Sequence, residues 1–157
     1  FAKIMKEMGY KFNTKEINAA IKKTNWPGRL EVINYKNKKI ILDGSHNIDG
    51  AEKLYEFLKT KRIKPIVLFG MLNNKKASLF LNKIKKRVSK VLAIKIPDEK
   101  NAFETKQINE ICEFHSIKCE KINNINDALK YFRSNQQKIY LITGSLYLIG
   151  KIRKKLL

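Results

Sequence analysis

The sequence is 157 residues long and 43% hydrophobic, which is enough for one hydrophobic core but hardly for two. No run approaches the roughly 18 consecutive apolar residues of a membrane span, and the start has no apolar centre typical of a signal peptide. We therefore expect one globular, cytoplasmic domain that makes no contact with a membrane and is a monomer.

The formal net charge is +20, and lysines are scattered over every segment of the sequence. Proteins that bind nucleic acid usually rely on arginine, and RNA-binding proteins also place aromatic side chains among the basic residues. Neither pattern is present, so we interpret the charge as general solvation of the surface. We expect no specific nucleic-acid partner, although a basic nucleic-acid-binding module is the alternative that the charge alone favours.

Two helices are predicted within residues 1–25. An apolar stripe marks the first, and Asn13 with Glu16 forms a capping box at the start of the second. Because Phe1 stands in what looks like the middle of a helix, we expect these to be linking helices that follow a missing N-terminal domain. Residues 26–157 are then predicted to form the domain proper.

After the turn at 26–29, two strands over 30–35 and 39–42 are separated by turn-forming residues, which predicts an antiparallel hairpin. From Asp43 onwards short apolar strands alternate with helices, the pattern of a parallel sheet covered on both faces. The fold class is therefore α/β, a Rossmann-like three-layer domain whose sheet is mostly parallel with an antiparallel entry hairpin. Helices are predicted over about 48–60, 76–89, 104–114 and 126–135 and from about 145, and strands over 66–69, 91–96, 117–119 and 139–142.

Three of these strand ends carry residues that suit a binding site. In such sheets ligands lie beyond the carboxyl ends of the strands, so we expect Asp43, Gly70 and Ser145 at one edge. Two interpretations fit the local pattern. Asp43 and Asn47 either contact a ligand or only cap the next helix, and His46 is either a ligand contact or an exposed loop residue. Ser145 at its helix N-terminus either holds an anionic ligand or is only an N-cap.

Two further patterns favour structure over function. Trp26 in the turn before the first strand is expected to be a core plug, and Arg29 taken alone is expected to be a solvated charge. Cys112, His115 and Cys119 lack both a fourth ligand and standard zinc spacing, so the cysteines are interpreted as reduced core thiols. The sequence also has no phosphate-binding P-loop, no dinucleotide-binding glycine fingerprint and no nucleophile elbow.

Four motifs in register change this assessment: Trp26-Pro-Gly-Arg-Leu-Glu31, Leu42-Asp-Gly-Ser-His-Asn47, Phe69-Gly-Met71 and Ile142-Thr-Gly-Ser-Leu-Tyr-Leu-Ile-Gly150. In order and spacing they closely resemble the C-terminal third of folylpolyglutamate synthase/dihydrofolate synthase, a member of the Mur ligase superfamily. The resemblance implies the closing domain of an ATP-dependent ligase that joins L-glutamate to dihydropteroate or folate through an acyl phosphate. The alternative is the closing domain of a Mur-type ligase of cell-wall precursors.

The resemblance also implies residue roles. Arg29 and Asp43 match residues that contact ATP, whereas His46 and Ser145 match positions assigned to the incoming glutamate. ATP and Mg²⁺ would be held mainly by the missing N-terminal domain, so this chain alone is expected to be inactive and to hold no metal. Lys75 is a further candidate, but its loop lacks the two acidic residues often found there in the family.

Overall fold

The computed structural model describes residues 2–11, 13–23 and 26–157. It begins with two helices, α1 (Ala2–Glu7) and α2 (Thr14–Lys23). The capping box predicted for α2 is confirmed, because the Asn13 N–H donates to Glu16 Oε2 at 2.7 Å and the Glu16 N–H donates to Asn13 Oδ1 at 2.9 Å. Phe1 lies outside the described residues, and the role of 1–25 as a link to another domain stays a prediction.

Six strands form one sheet within the described part of the chain. They are β1 (Glu31–Tyr35), β2 (Lys38–Asp43), β3 (Ile66–Phe69), β4 (Lys90–Ile94), β5 (Cys119–Ile122) and β6 (Ile139–Thr143). Their order across the sheet is β1-β2-β6-β3-β4-β5. β1 pairs with β2 antiparallel, and every other neighbouring pair is parallel. The predicted mostly parallel sheet with an antiparallel entry hairpin is confirmed.

Helices cover both faces of this sheet, and the strands bury apolar side chains on both. Along β3, Val67 and Phe69 pack in one core, while Ile66 and Leu68 pack in the other. The first core is completed by the earlier helices and the second by the last two, which gives three layers. The helices of the first core are α3 (Ile48–Thr60), α4 (Ala77–Ile84) and α5 (Thr105–Phe114), and those of the second are α6 (Ile125–Ser134) and α7 (Leu146–Leu156). None of the described helices is both long enough and apolar enough to cross a membrane.

Two predicted elements are wrong in extent. The helix expected over 76–89 ends at Ile84 and continues as a 3-10 turn over Lys85–Arg87. Val88, which keeps the apolar spacing of the helix, has extended backbone angles and leads into β4 instead. The strand expected over 117–119 is β5 at Cys119–Ile122, since Ser116 turns the chain at a positive φ of 56°.

Candidate functional site

Three neighbouring strands end at one edge of the sheet, which we call the carboxyl edge. In the register of the sheet, Asp43 of β2 lies beside Thr143 of β6, and Thr143 lies beside Phe69 of β3. The loops that leave these strands, 44–47, 144–145 and 70–76, therefore begin side by side. The prediction that Asp43, Gly70 and Ser145 meet at the same edge is confirmed.

The backbones of these loops approach one another very closely at Gly144. Its φ is +106°, and a Cβ atom placed there would lie 2.5 Å from the carbonyl oxygen of Gly70 and 2.9 Å from Phe69 Cε2. The Gly144 N–H also donates to the Ser45 carbonyl at 3.1 Å. Only glycine combines this conformation with this approach, so the Thr-Gly-Ser motif fixes the distance between the two loops.

The turn at 26–30 is joined to the same edge by backbone hydrogen bonds. The Gly44 N–H donates to the Gly28 carbonyl at 2.7 Å, and the Arg29 N–H donates to the Trp26 carbonyl at 3.1 Å. The Arg29 side chain is exposed and forms no ion pair within the described residues. The expectation that Trp26 is a core plug is wrong, because this side chain is 70% exposed.

Asp43 connects the 26–30 turn to the 44–47 loop through both of its carboxylate oxygens. Oδ2 accepts from the Leu30 N–H at 3.1 Å, and Oδ1 accepts from the Ser45 N–H at 3.0 Å. The residue is only 5% exposed. Leu30 has a positive φ of 48°, a conformation that costs energy in a branched residue and that this hydrogen bond helps to hold. Asp43 is thus a buried organiser of the edge, and its carboxylate bonds the N–H groups of Leu30 and Ser45 and does not cap α3.

A second carboxylate, Glu31, ties the same turn to α7. Its Oε2 accepts from the Gly28 N–H at 2.8 Å, and Arg153 binds the carboxylate with two parallel bonds, Nε to Oε2 at 3.0 Å and Nη2 to Oε1 at 2.9 Å. The side chain of Glu31 is 9% exposed. The hydrogen bonds from Arg153 lower the pKa of Glu31 below its ordinary value. Sequence reasoning missed this pair because its members are 122 residues apart.

His46 and Ser145 line one cleft at the carboxyl edge, with a volume of about 250 Å³. Lys75 also lines it, so the loop that follows β3 reaches the same place. The remaining lining residues come from the loops after β3 and β6 and the first turn of α7: Leu72, Asn74, Gly144, Leu146 and Tyr147. The structure therefore brings together the two residues matched to glutamate and adds a lysine to them.

The local hydrogen bonds of these residues agree with the capping interpretation as well. Ser145 is the N-cap of α7, where its Oγ accepts from the Tyr147 N–H at 3.1 Å, and Asn47 caps α3 by accepting from the Gly50 N–H at 2.8 Å. His46 Nδ1 donates to the Gly44 carbonyl at 2.9 Å. The Ser145 hydroxyl proton and His46 Nε2 have no hydrogen-bond partner within the described residues. Ser145 is only 3% exposed, so a ligand would reach its hydroxyl through the cleft that it lines.

A larger groove of about 710 Å³ adjoins this cleft, with Leu146 and Tyr147 in both linings. Its walls come from the loop at 97–99, the start of α6 and the outer side of α7. No local sequence pattern indicates this groove, because its walls come from three distant segments. The carboxyl edge thus offers one small polar cleft and one open groove side by side.

Comparison with known proteins identifies the family of this chain. A model of the dihydrofolate synthetase C-terminal domain matches residues 28–155. The chain belongs to this family. The dihydrofolate synthase/folylpolyglutamate synthase of Bacillus subtilis is 32% identical over 146 residues, which is 89% of this chain and 33% of that protein. The chain therefore spans about a third of the length of its curated relatives.

Solved structures agree on the fold of this synthetase domain. The folylpolyglutamate synthase of Thermotoga maritima superimposes with a TM-score of 0.76 at 26% identity, covering 99% of this chain and 36% of that one. The bifunctional folylpolyglutamate synthase/dihydrofolate synthase of Yersinia pestis, solved with Mn, AMPPNP and L-glutamate bound, gives a TM-score of 0.75 at 19% identity and covers 94% of this chain and 36% of that one. The three-layer α/β architecture is that of these ligases.

The cysteines of the synthetase domain lie away from the carboxyl edge. Cys112 is buried in α5, and Cys119 is half-buried at the start of β5. A hydrogen bond to Cys119, together with burial, raises the pKa of the Cys112 thiol. His115 hydrogen-bonds Ser78 through Nε2 at 2.8 Å. Over the described residues no group of three or more Cys, His, Asp or Glu side chains is arranged to hold a metal ion.

Proposed function

We propose that this chain is the glutamate-binding and cleft-closing part of an ATP-dependent ligase that joins L-glutamate to dihydropteroate or a (poly)glutamylated folate. The observation that carries the proposal is the cleft in which His46, Ser145 and Lys75 meet, in a domain of the dihydrofolate synthetase family. The folate family match also favours this function over that of a Mur-type ligase. The parent enzyme would act in the cytoplasm as a monomer.

The cleft has the chemistry that an amino acid with two carboxylates requires. Lys75 supplies a positive charge, and the Ser145 hydroxyl supplies a donor at the N-terminus of α7, where the helix dipole favours an anion. Whether His46 donates or accepts a hydrogen bond in the cleft depends on its protonation state. Because Nδ1 is occupied by the Gly44 carbonyl, Nε2 donates to a carboxylate only in the imidazolium form and accepts from an amine in the neutral form.

The rim of the edge is suited to the nucleotide. We assign Arg29 to the phosphates of ATP, because its guanidinium is exposed and unpaired within the described residues and matches phosphate geometry. We assign Asp43 to the same site in a different role, that of holding the turn that presents Arg29. With 5% exposure and both oxygens bonded to backbone N–H groups, little of this carboxylate is left for direct contact with ATP.

Asp43 and the residues around the cleft do not fit a primary Mg²⁺ site, since such sites need free carboxylate oxygens. The oxygens of Asp43 are occupied, and the loop after β3 presents Asn74, Lys75 and Lys76. We therefore propose that Mg²⁺ and most of the ATP are bound by an N-terminal domain of the parent enzyme. This chain would close over them and bring the glutamate.

In the proposed reaction, a carboxylate oxygen of the folate substrate attacks the γ-phosphorus of ATP, and ADP leaves. The glutamate amine then attacks the carbonyl carbon of the acyl phosphate, forms the amide, loses a proton and expels phosphate. The contribution of this domain is positional. Holding the amine beside the acyl phosphate and excluding water makes the second step effectively unimolecular.

The decisive experiment is steady-state kinetics of the parent enzyme with His46→Ala and Arg29→Ala. His46→Ala removes a contact to glutamate, so the KM for glutamate should rise about 10- to 100-fold, as loss of a charge-assisted hydrogen bond of roughly 1.5–3 kcal/mol predicts. Arg29→Ala should instead raise the KM for ATP. His115→Ala is the matched control, because the other histidine of the chain does not line the cleft and should leave both constants unchanged.

Equal changes of the glutamate KM in the two histidine variants would contradict the assignment of the cleft. The purified chain alone should form no folate amide, because the proposal places most of the ATP site elsewhere. Measurable ligation by this chain would contradict that division of labour.

A further inference from the structure

The edge opposite to the proposed ligand site concentrates the positive charge of the chain. The connections 36–37, 61–65, 85–89, 115–118 and 135–138 all lie where the parallel strands begin, and we call this the amino edge. Together they contain nine Lys or Arg residues and no Asp or Glu. The lysines are scattered along the sequence, but the topology gathers them at one edge.

The carboxyl edge has a different balance. Its connections, 26–30, 44–47, 70–76, 95–104, 123–124 and 144–145, contain five Lys or Arg residues and three Asp or Glu. Two of its lysine–carboxylate contacts are short, Lys95 with Glu104 at 2.5 Å and Lys151 with Asp98 at 2.6 Å. General solvation would spread the charge evenly, so the asymmetry between the edges requires a separate explanation.

The cations of the amino edge form no ion pairs within the described part of the chain. None of the nine has a carboxylate within 4.0 Å in the described part of the chain. Helices also end at this edge, and each helix end carries about half a negative charge, so five ends account for roughly two and a half charges. Nine cations exceed that amount more than threefold. Complementing the helix dipoles therefore explains only part of the charge.

The cations also form a line of suitable length for a polyanion. The five connections follow the strand order from β2 through β6, β3 and β4 to β5, which is four strand spacings, or about 19 Å. The same length of duplex nucleic acid carries about eleven phosphate charges, at one per roughly 1.7 Å of axis.

We propose that the amino edge binds the phosphate backbone of nucleic acid, without sequence preference. The lysines suit this mode, because point charges on flexible stems neutralise phosphates but read no base edges. An anionic membrane surface is less favoured, because this edge offers little apolar surface to insert. Apart from Leu157, Phe114 is the one large exposed apolar side chain in the connections of this edge and the adjoining ends of α3 to α7 within the described residues. The proposal does not depend on the ligase function.

The test uses the purified chain and a fluorescein-labelled 20-base-pair DNA duplex, with binding followed by anisotropy between 50 and 200 mM salt. The first variant combines Lys64→Gln, Lys86→Gln and Lys138→Gln, which are exposed lysines before the adjacent strands β3, β4 and β6. The matched control combines Lys53→Gln, Lys76→Gln and Lys100→Gln, exposed lysines outside the amino edge and without an ion pair within the described residues. Both variants lower the formal charge from +20 to +17, by removal of three charges.

For wild type we expect measurable binding at 50 mM salt that falls steeply with salt, and equal affinity for a second duplex of different sequence. Each phosphate contact contributes about 0.9 to the slope of log K against log salt. The amino-edge variant should therefore have a slope shallower by nearly 3, while the control keeps the wild-type slope. Thermal unfolding followed by circular dichroism verifies that all three proteins are folded.

Three results would overturn the proposal. Equal weakening in both variants would mean that net charge alone is responsible. Absence of measurable binding at 50 mM salt would mean that the edge holds no polyanion. Binding to vesicles containing phosphatidylserine, lost in the amino-edge variant and without binding to the duplex, would assign the surface to membranes instead.

Discussion

The buried carboxylate of Asp43 makes a quantitative prediction about stability. Asp43→Ala leaves the N–H of Ser45 without its buried partner and the N–H of Leu30 without its acceptor. An unsatisfied buried donor costs about 1–3 kcal/mol, and the partly exposed Leu30 regains some hydration, so we expect a loss of about 3 kcal/mol. For a domain of this size, each kcal/mol lowers Tm by about 2–4 °C, which predicts a decrease of about 6–12 °C in thermal unfolding followed by circular dichroism.

Two further variants make this prediction specific. Arg29→Ala changes an exposed side chain of the same edge and should alter stability by no more than about 0.5 kcal/mol. Asp43→Asn keeps one oxygen acceptor and loses the other, so it should fall between wild type and Asp43→Ala. The Tm values of Asp43→Ala and Arg29→Ala are compared directly. A difference of less than about 1 °C, which is the size of an ordinary surface effect, would mean that the carboxylate does not hold the turn.

Three other substitutions test separate contacts. Gly144→Ala should cost roughly 2–6 kcal/mol in urea unfolding, because its Cβ would meet the Gly70 carbonyl in a strained conformation; an unchanged midpoint would contradict this. Glu31→Gln should be less stable than wild type above about pH 5, because the ion pair with Arg153 exists only while the carboxylate is ionised. The difference in stability should vanish as the pH falls through the lowered pKa of Glu31. A difference that is constant from about pH 7 to 3 would refute the role of the charge. Lys38→Met removes a buried ammonium that donates to two backbone carbonyls, at 2.5 and 3.0 Å, and should lower the free energy of unfolding in urea by about 1–3 kcal/mol. The control Lys39→Met changes an exposed neighbour and should be nearly neutral.

The architecture was largely predictable because its signals are local. Short apolar strands between amphipathic helices indicate a parallel sheet, and the reciprocal bonds of Asn13 and Glu16 follow directly from residue type and spacing. The errors arose where two local rules compete. Val88 continues the helical spacing after Ile84, yet its backbone is extended and precedes β4, because the 3-10 turn between them ends the helix.

The candidate site was predictable in its location but not in its contacts. Strand-end motifs placed His46 and Ser145 at one edge, since parallel strands share their carboxyl ends. The burial of Asp43 and the exposure of Trp26 depend on how the 26–30 turn folds back on the 44–47 loop, which no local pattern specifies. The lysine-rich amino edge was hidden for the same reason, because it is assembled by topology from residues far apart in sequence.

The position of β6 has a consequence for biosynthesis. This strand is the last of the described strands to be made, yet it lies between β2 and β3, with hydrogen bonds to both. Until residues 139–143 have left the ribosome, β2 and β3 have no shared partner, so the nascent domain exposes two unpaired strand edges, which are prone to aggregation. Ser145 and Gly144 emerge immediately after β6. The ligand cleft therefore cannot form before the sheet is complete.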